Sequence, residues 1–222
     1  MADLRLNNDR MTELLDHIIE REGSYPYFYC DNHGLVTIGI GYLVDQRGAS
    51  DATGRRLATA LVRRFGNSAF ERPGSTGVVD GAAVAADWQR VKDAGRLGAR
   101  SASRYASVAQ LRLKPRSIRG LLNQRLAGFI NTLYNRRPSL LVLDERVAMA
   151  LVDARFNPAG VALYSTDGHV PALWAALDRS GPSYEPARAV ALFAAIWGGR
   201  GGERYQQRHA HRVAWMRQGL GL

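Results

Sequence analysis

Between Met11 and Gly41 the spacing of apolar residues changes from helical to strand-like, with a glycine at the change. Met11, Leu14, Leu15 and Ile18 recur at three- and four-residue intervals, with Ile19 beside them, which predicts an amphipathic helix over residues 10–22. Gly23 stops it. Tyr25-Pro26-Tyr27-Phe28-Tyr29-Cys30-Asp31 then reads as an aromatic strand, Asn32-His33-Gly34 as its turn, and Leu35 to Gly41 as the returning strand. A helix that runs straight into a hairpin sets Glu22 at its end, Asp31 nine residues later at the turn, and Thr37 six beyond that on the return.

Glu22 falls four after Ile18 and seven after Leu15, on the apolar stripe. There it is expected to be partly desolvated, which favours the protonated carboxyl and suits a general acid. Asp31, at a solvated turn, is expected to stay ionised and to activate water or stabilise a cationic sugar transition state. On the return strand Leu35, Thr37, Gly39 and Gly41 share one face, and a hydroxyl between glycines suits close approach of a ligand. Each feature alone has an ordinary explanation: a helix-end acid, an Asp that opens a turn, a strand threonine. The order and spacing of all three point to acid-catalysed glycoside cleavage.

Glu22-Gly23, followed by Tyr29-x-Asp31-x-x-Gly34-x-x-Thr37-Ile38-Gly39-Ile40-Gly41, resembles the active-site hairpin of the phage-type lysozymes, glycoside hydrolase family 24. Leu143-Asp144-Glu145-Arg146, and the helix from it to Phe156-Asn157-Pro158-Ala159-Gly160, looks like the family's core helix and the polar residue beside its cleft. Ala191 to Trp197, then Gly202-Glu203-Arg204 to Arg208, is similar to its C-terminal helices. The resemblance covers residues 10–60 and 140–215. It implies cleavage of the β-1,4 bond between N-acetylmuramic acid and N-acetylglucosamine, with Glu22 as acid, Asp31 and Thr37 holding water, and inversion. Inversion sets the carboxyl groups roughly 6.5–9.5 Å apart. Tyr42, Asn157, Arg204 and Arg208 are the candidate substrate contacts. The family usually has His where this chain has Tyr42, and the extra length and Tyr-Pro-Tyr strand look like pesticin-like antibacterial toxins.

Other chemistries find little support. Five histidines without an i,i+4 pair, and a single cysteine, do not build a zinc site, so neither metal nor cofactor is expected. Gly39-x-Gly41 lacks the third glycine of a dinucleotide loop. Cys30 reads as a space-filling strand residue, and one cysteine excludes an internal disulfide framework. No run approaches 18 apolar residues, and the N-terminus lacks a signal pattern. Synthesis in the cytoplasm is therefore expected, with action at the periplasm or wall after holin release, lysis or dedicated secretion.

The net charge of +10 is uneven, at −3 over residues 1–60, +11 over 61–140 and +2 over 141–222. Residues 96–137 hold ten Lys or Arg and no acid, a footprint for a polyanion such as an anionic wall polymer, with a solvated surface in an Arg-rich chain as the lesser alternative. Peptidoglycan is the expected partner of a monomer, and an immunity or inhibitor protein is a candidate. Nucleic acid is not expected, because no recognition module is present. The alternative functions are an inactive murein-binding module or, behind it, a nucleic-acid-binding protein.

The expected fold is α+β, mostly α and lysozyme-like. Residues 1–65 form an N-terminal catalytic lobe of helix and hairpin, and 66–222 a larger helical lobe with a basic insertion around 96–137. The cleft runs between them. Further helices are expected near 55–65, 80–96, from Pro115, and over 142–156, 170–179, 186–197 and 203–217, with a Gly-, Ser- and Pro-rich connection at 66–77.

Overall fold

The computed structural model describes residues 6–96, 101–156, 163–166, 169–198 and 202–222, apart from the side chain of Arg204. Among these residues the chain is mostly helical α+β, with eight helices and two small antiparallel sheets. In order they are α1 (Asn8–Glu22), β1 (Tyr25–Cys30), β2 (Val36–Gly39), β3 (Tyr42–Leu43), α2 (Asp51–Phe65), β4 (Phe70–Glu71), α3 (Gly81–Arg96), β5 (Arg112–Leu113), α4 (Pro115–Arg136), α5 (Glu145–Phe156), α6 (Val170–Leu177), α7 (Pro186–Trp197) and α8 (Glu203–Gly219).

Two compact units result, one of residues 22–123 and one joining the chain up to Arg21 to residues 124–222. The compact units do not follow the division expected after residue 65: residues 66–123 group with the hairpin, and all of α1 but Glu22 with the C-terminal helices. The physical reason lies in the burial of each element. The stripe of α1 (Met11, Leu14, Leu15 and Ile18) is buried, and Trp215 of α8 donates its indole N–H to Glu13 at 2.9 Å. In the other unit α2 packs on α3 so closely that a Cβ on Gly54 would fall 2.2 Å from the Trp88 ring.

In the unit of residues 22–123 the sheet order is β1-β2-β3. Tyr29 pairs with Thr37 and Cys30 with Val36, beyond an irregularity that starts at Tyr25. Thr37 pairs in turn with Leu43, and Ile38 with Tyr42. Phe28, Cys30, Val36 and Ile38 are buried with Trp88 and Val91 of α3. The 66–77 connection and the residues just before Pro115 hold an unexpected second sheet, in which Phe70 pairs with Leu113 and Glu71 with Arg112.

Two buried carboxylates organise this unit. Asp45 accepts from Val36 N, Trp88 Nε1 and Lys92 Nζ at 3.0, 2.9 and 2.7 Å. Asp87, 1 % exposed, accepts from the amides of Gln110 and Leu111 and from Arg90, which pins the chain just before β5 to α3. Buried carboxylates are tolerated because each is hydrogen-bonded and paired with a cation.

In the other unit α5 is apolar on all sides and buried along nearly its whole length, as a core helix must be. Asp153 interrupts it at 0 % exposure. Arg208 reaches both its oxygens, Arg212 Nε lies 2.6 Å from Oδ2, and His17 Nε2 stands 3.5 Å away. Burial alone would raise Asp153, but the contacts with His17 and Arg208 and the charges of Arg212 and Arg208 outweigh it and hold the carboxyl far below the usual range.

A depressed carboxyl contributes its full stability above the unfolded value, roughly 3.9, and loses it as pH falls from there toward the folded value. Asp153→Asn, which leaves two buried guanidiniums without a counter-charge, should cost about 3–5 kcal/mol near neutral pH. Thermal melts across pH should show that loss narrowing below about pH 4.

Candidate functional site

Asp31 closes the hairpin. Its backbone N–H donates to Leu35 O and its C=O accepts from Gly34 N, both at 3.0 Å, and Gly34 supplies the positive φ (73°) that the turn requires. Its Oδ1 accepts from His33 N and Leu35 N at 2.9 Å each, an Asx turn that holds the carboxylate in one orientation. Oδ2 takes no part in these bonds.

Thr37 lies at the centre of the sheet, 4 % exposed, and its hydroxyl donates to Leu35 O at 3.2 Å. All four residues of β2 are buried, so the open ligand-facing strand surface expected there is corrected. The glycines after Thr37 serve a different purpose: Gly39 and Gly41 have φ of 65° and 63° and make the turn from β2 to β3.

Glu22 is exposed at the last position of α1, not set in the apolar surroundings that the helical spacing suggested. The buried stripe ends at Ile18, and the last turn, Ile19 to Glu22, is half-buried or exposed.

Tyr29 links these residues and was not singled out by sequence reasoning. It faces Thr37 across the ladder, on the same side of the sheet, and its ring lies 5.1 Å from that of Tyr25. Burial pushes its phenol up to about 12, against a hydrogen bond from the Gly41 backbone, and the nearby Tyr25, Asp31 and Glu22 add to the rise. Both carboxylates thus lie within electrostatic reach of one hydroxyl.

The remaining candidates stand apart from this group. Tyr42 pairs with Ile38 and so points away from the Thr37 side. It lines a separate cavity of about 270 Å³ with Leu57, Leu61 and Arg64, and Arg64 Nη1 donates to its hydroxyl at 3.1 Å. Arg208, expected as a glycan contact, is corrected to a core residue, 4 % exposed and bound to Asp153. Asn157 lies outside the described residues, as does the side chain of Arg204. Among the described residues no cluster of His, Cys, Asp and Glu side chains is suited to hold a metal, and no helix is long and apolar enough to cross a membrane.

The basic stretch is less free than its charge suggests. Arg96 pairs with Asp51 and Asp93. Arg112 donates to the carbonyls of Ala106, Ala109 and Leu111 and lies over Tyr27 at 4.8 Å. Arg125, Arg136 and Arg137 lie over Phe156, Tyr164 and Trp174 at 4.6, 4.5 and 4.8 Å. Arg116 donates to Ser68 and has an exposed side chain.

No protein-family model, curated protein or solved structure matches this chain.

The turn role of Asp31 can be separated from any chemical role. Asp31→Ala leaves two amides without their acceptor and should cost about 1–2 kcal/mol in a melt, whereas Asp31→Asn keeps Oδ1 and should lose a few tenths at most.

Proposed function

We propose that the chain is a muramidase, hydrolysing with inversion the β-1,4 bond between N-acetylmuramic acid and N-acetylglucosamine in peptidoglycan. The observation that supports this reading is the placement of Tyr29 directly across the ladder from Thr37 and just before Asp31, with the charges of Asp31 and Glu22 both adding to the rise of the Tyr29 phenol. The motif that resembles the phage-type lysozymes uses the same residues, which supports the same assignment.

In this reading Glu22 gives its proton to the leaving glycosidic oxygen. A bound glycan covers Glu22 and excludes water from it, supplying the desolvation that the helix end does not. Asp31, its Oδ1 fixed by two amides, offers Oδ2 to a water, takes that water's proton, and the hydroxide oxygen bonds to the anomeric carbon from the opposite face. The Thr37 hydroxyl, donating to Leu35, keeps lone pairs that can accept from the same water. The expected outcome in the cell is wall lysis, as an endolysin or as an antibacterial toxin countered by an immunity protein. The lysozyme-like two-lobed architecture belongs to this proposal.

A second reading has one observation in its favour: Thr37 is nearly inaccessible and already hydrogen-bonded. A module that binds murein without cleaving it would retain sacculi and release no muropeptides. Lysis of permeabilised cells, with mass analysis of the released fragments, separates the two.

Glu22→Gln keeps the shape but removes the transferable proton, and activity should fall by at least ~10²–10⁴-fold with an unchanged melt. Fresh wild-type product should carry the inverted anomer, read by proton NMR before mutarotation; the retained anomer would show that Asp31 is not a water-activating base.

A role for the basic stretch in holding anionic wall polymer is expected to rest on Lys114 and Arg116, since Arg112 braces backbone carbonyls. Neutralising Lys114 and Arg116 together should weaken sacculus binding several-fold at low salt. The effect should fade as the Debye length shrinks to roughly 8–10 Å, with turnover of a soluble fragment unchanged.

A further inference from the structure

We propose that Tyr29 is a positioning residue of this site, whose hydroxyl holds the water that Asp31 activates; the proposal rests on the muramidase reading. Four observations lead to it. Tyr29 stands across the ladder from Thr37 and two residues before Asp31, which opens the turn after that strand, so the three residues lie close together at one end of the hairpin. Its ring is braced at 5.1 Å by Tyr25, itself 6.0 Å from Tyr27, so the phenol has a fixed direction. Its hydrogen bond with the Gly41 backbone favours the phenolate, so it is made by the amide N–H donating to the phenol oxygen. Glu22 and Asp31 both act on that oxygen electrostatically.

The hydrogen-bonding inventory then determines what the group can do. A phenol has one proton to donate and lone pairs to accept. The Gly41 N–H occupies the accepting side, so the proton is directed away from it. Two nearby carboxylates favour a neutral, donating phenol over a phenolate. A water between them meets three oriented partners: Asp31 Oδ2 and Thr37 Oγ1 accept its two protons, and the Tyr29 O–H fills one lone pair. The second lone pair is left for the anomeric carbon. Geometry of this kind accelerates a reaction by orientation alone, with no proton lost from Tyr29. The phenol is therefore distinct in kind from the acid and the base: it is unchanged over the reaction and sets direction.

Two measurements on the full chain test this. Tyr29→Phe keeps the ring and its packing on Tyr25 but removes the donor. It should lower kcat about 10-fold on peptidoglycan fragments, with KM within about twofold and the melt unchanged, as loss of one oriented hydrogen bond predicts. Separately, tyrosines are replaced by 3-fluorotyrosine, whose phenol is more acidic and titrates while the chain is folded. Fluorine NMR then follows Tyr29, assigned by the signal missing from the Tyr29→Phe chain. Tyr29 should titrate above the exposed tyrosines, and Glu22→Gln and Asp31→Asn should each lower its midpoint. A midpoint that neither substitution moves overturns the proposal, because the phenol does not face the carboxylates. Full kcat in Tyr29→Phe also overturns it. Failure of the muramidase reading looks different: a wild-type chain that releases nothing from sacculi removes the reaction, whatever the titration shows.

Discussion

Asp45 connects the candidate site to its support. Its carboxylate is 5 % exposed and takes one hydrogen bond from the return strand of the hairpin, one from the Trp88 indole and one from Lys92. Lys92 also donates to Gly34 O, in the turn that Asp31 closes. Helix α3 therefore holds β2 and the hairpin turn through one charge-assisted network, and Trp88 fixes α2 through Gly54. Removing one partner would leave a buried charge uncompensated, so such a network is costly to break although it adds little net stability when whole. A two-stranded hairpin alone is marginal in water. Here its rigidity comes from the helix behind it.

The other unit repeats this logic with the signs arranged differently. One aspartate on a core helix that is buried from Val147 to Ala154 takes two guanidiniums from α8. Arginine suits this, because the adjacent donors of its planar fork can serve two acceptors at once, as Arg212 does with Asp153 Oδ2 through Nε and Asp153 O through Nη2. The same residue type stacks on rings throughout the basic stretch. With 28 arginines among 30 basic residues, formal charge overstates the free positive surface.

What could be read from the sequence follows from which features have a period. The stripe of α1, the hairpin and the helices from Pro115 onward repeat over enough residues to be legible, and on α4 the apolar stripe of Ile118, Leu121, Leu122, Leu126, Ile130 and Leu133 is buried, with Phe129 half-exposed. Strands β3, β4 and β5 are two residues long and have no period to find. Arg208 reads as a surface residue locally; its partner is 55 positions away, and only tertiary structure shows that the charge is buried. The exposure of Glu22 was hidden for a related reason. Helical spacing gives the direction of a side chain but not where the packed surface ends.

Tyr29 was recoverable. Once Asp31 and Leu35 close the turn, antiparallel pairing carries Cys30 to Val36 and Tyr29 to Thr37, so the register follows from the turn alone. What could not be read was Gly41. Gly39-Ile40-Gly41 reverses the chain through two left-handed glycines, a conformation that a side chain would strain. The reversal presents the Gly41 N–H to the phenol oxygen. The glycines that looked like room for a ligand therefore act one step earlier, aiming a backbone donor at the Tyr29 hydroxyl. The two-residue strand that follows, though it adds little to the fold, pairs Thr37 with Leu43 and keeps that amide in place. In this hairpin the residues that make the turns, Asp31 with Gly34 and Gly39 with Gly41, are interleaved with those the proposed chemistry would use.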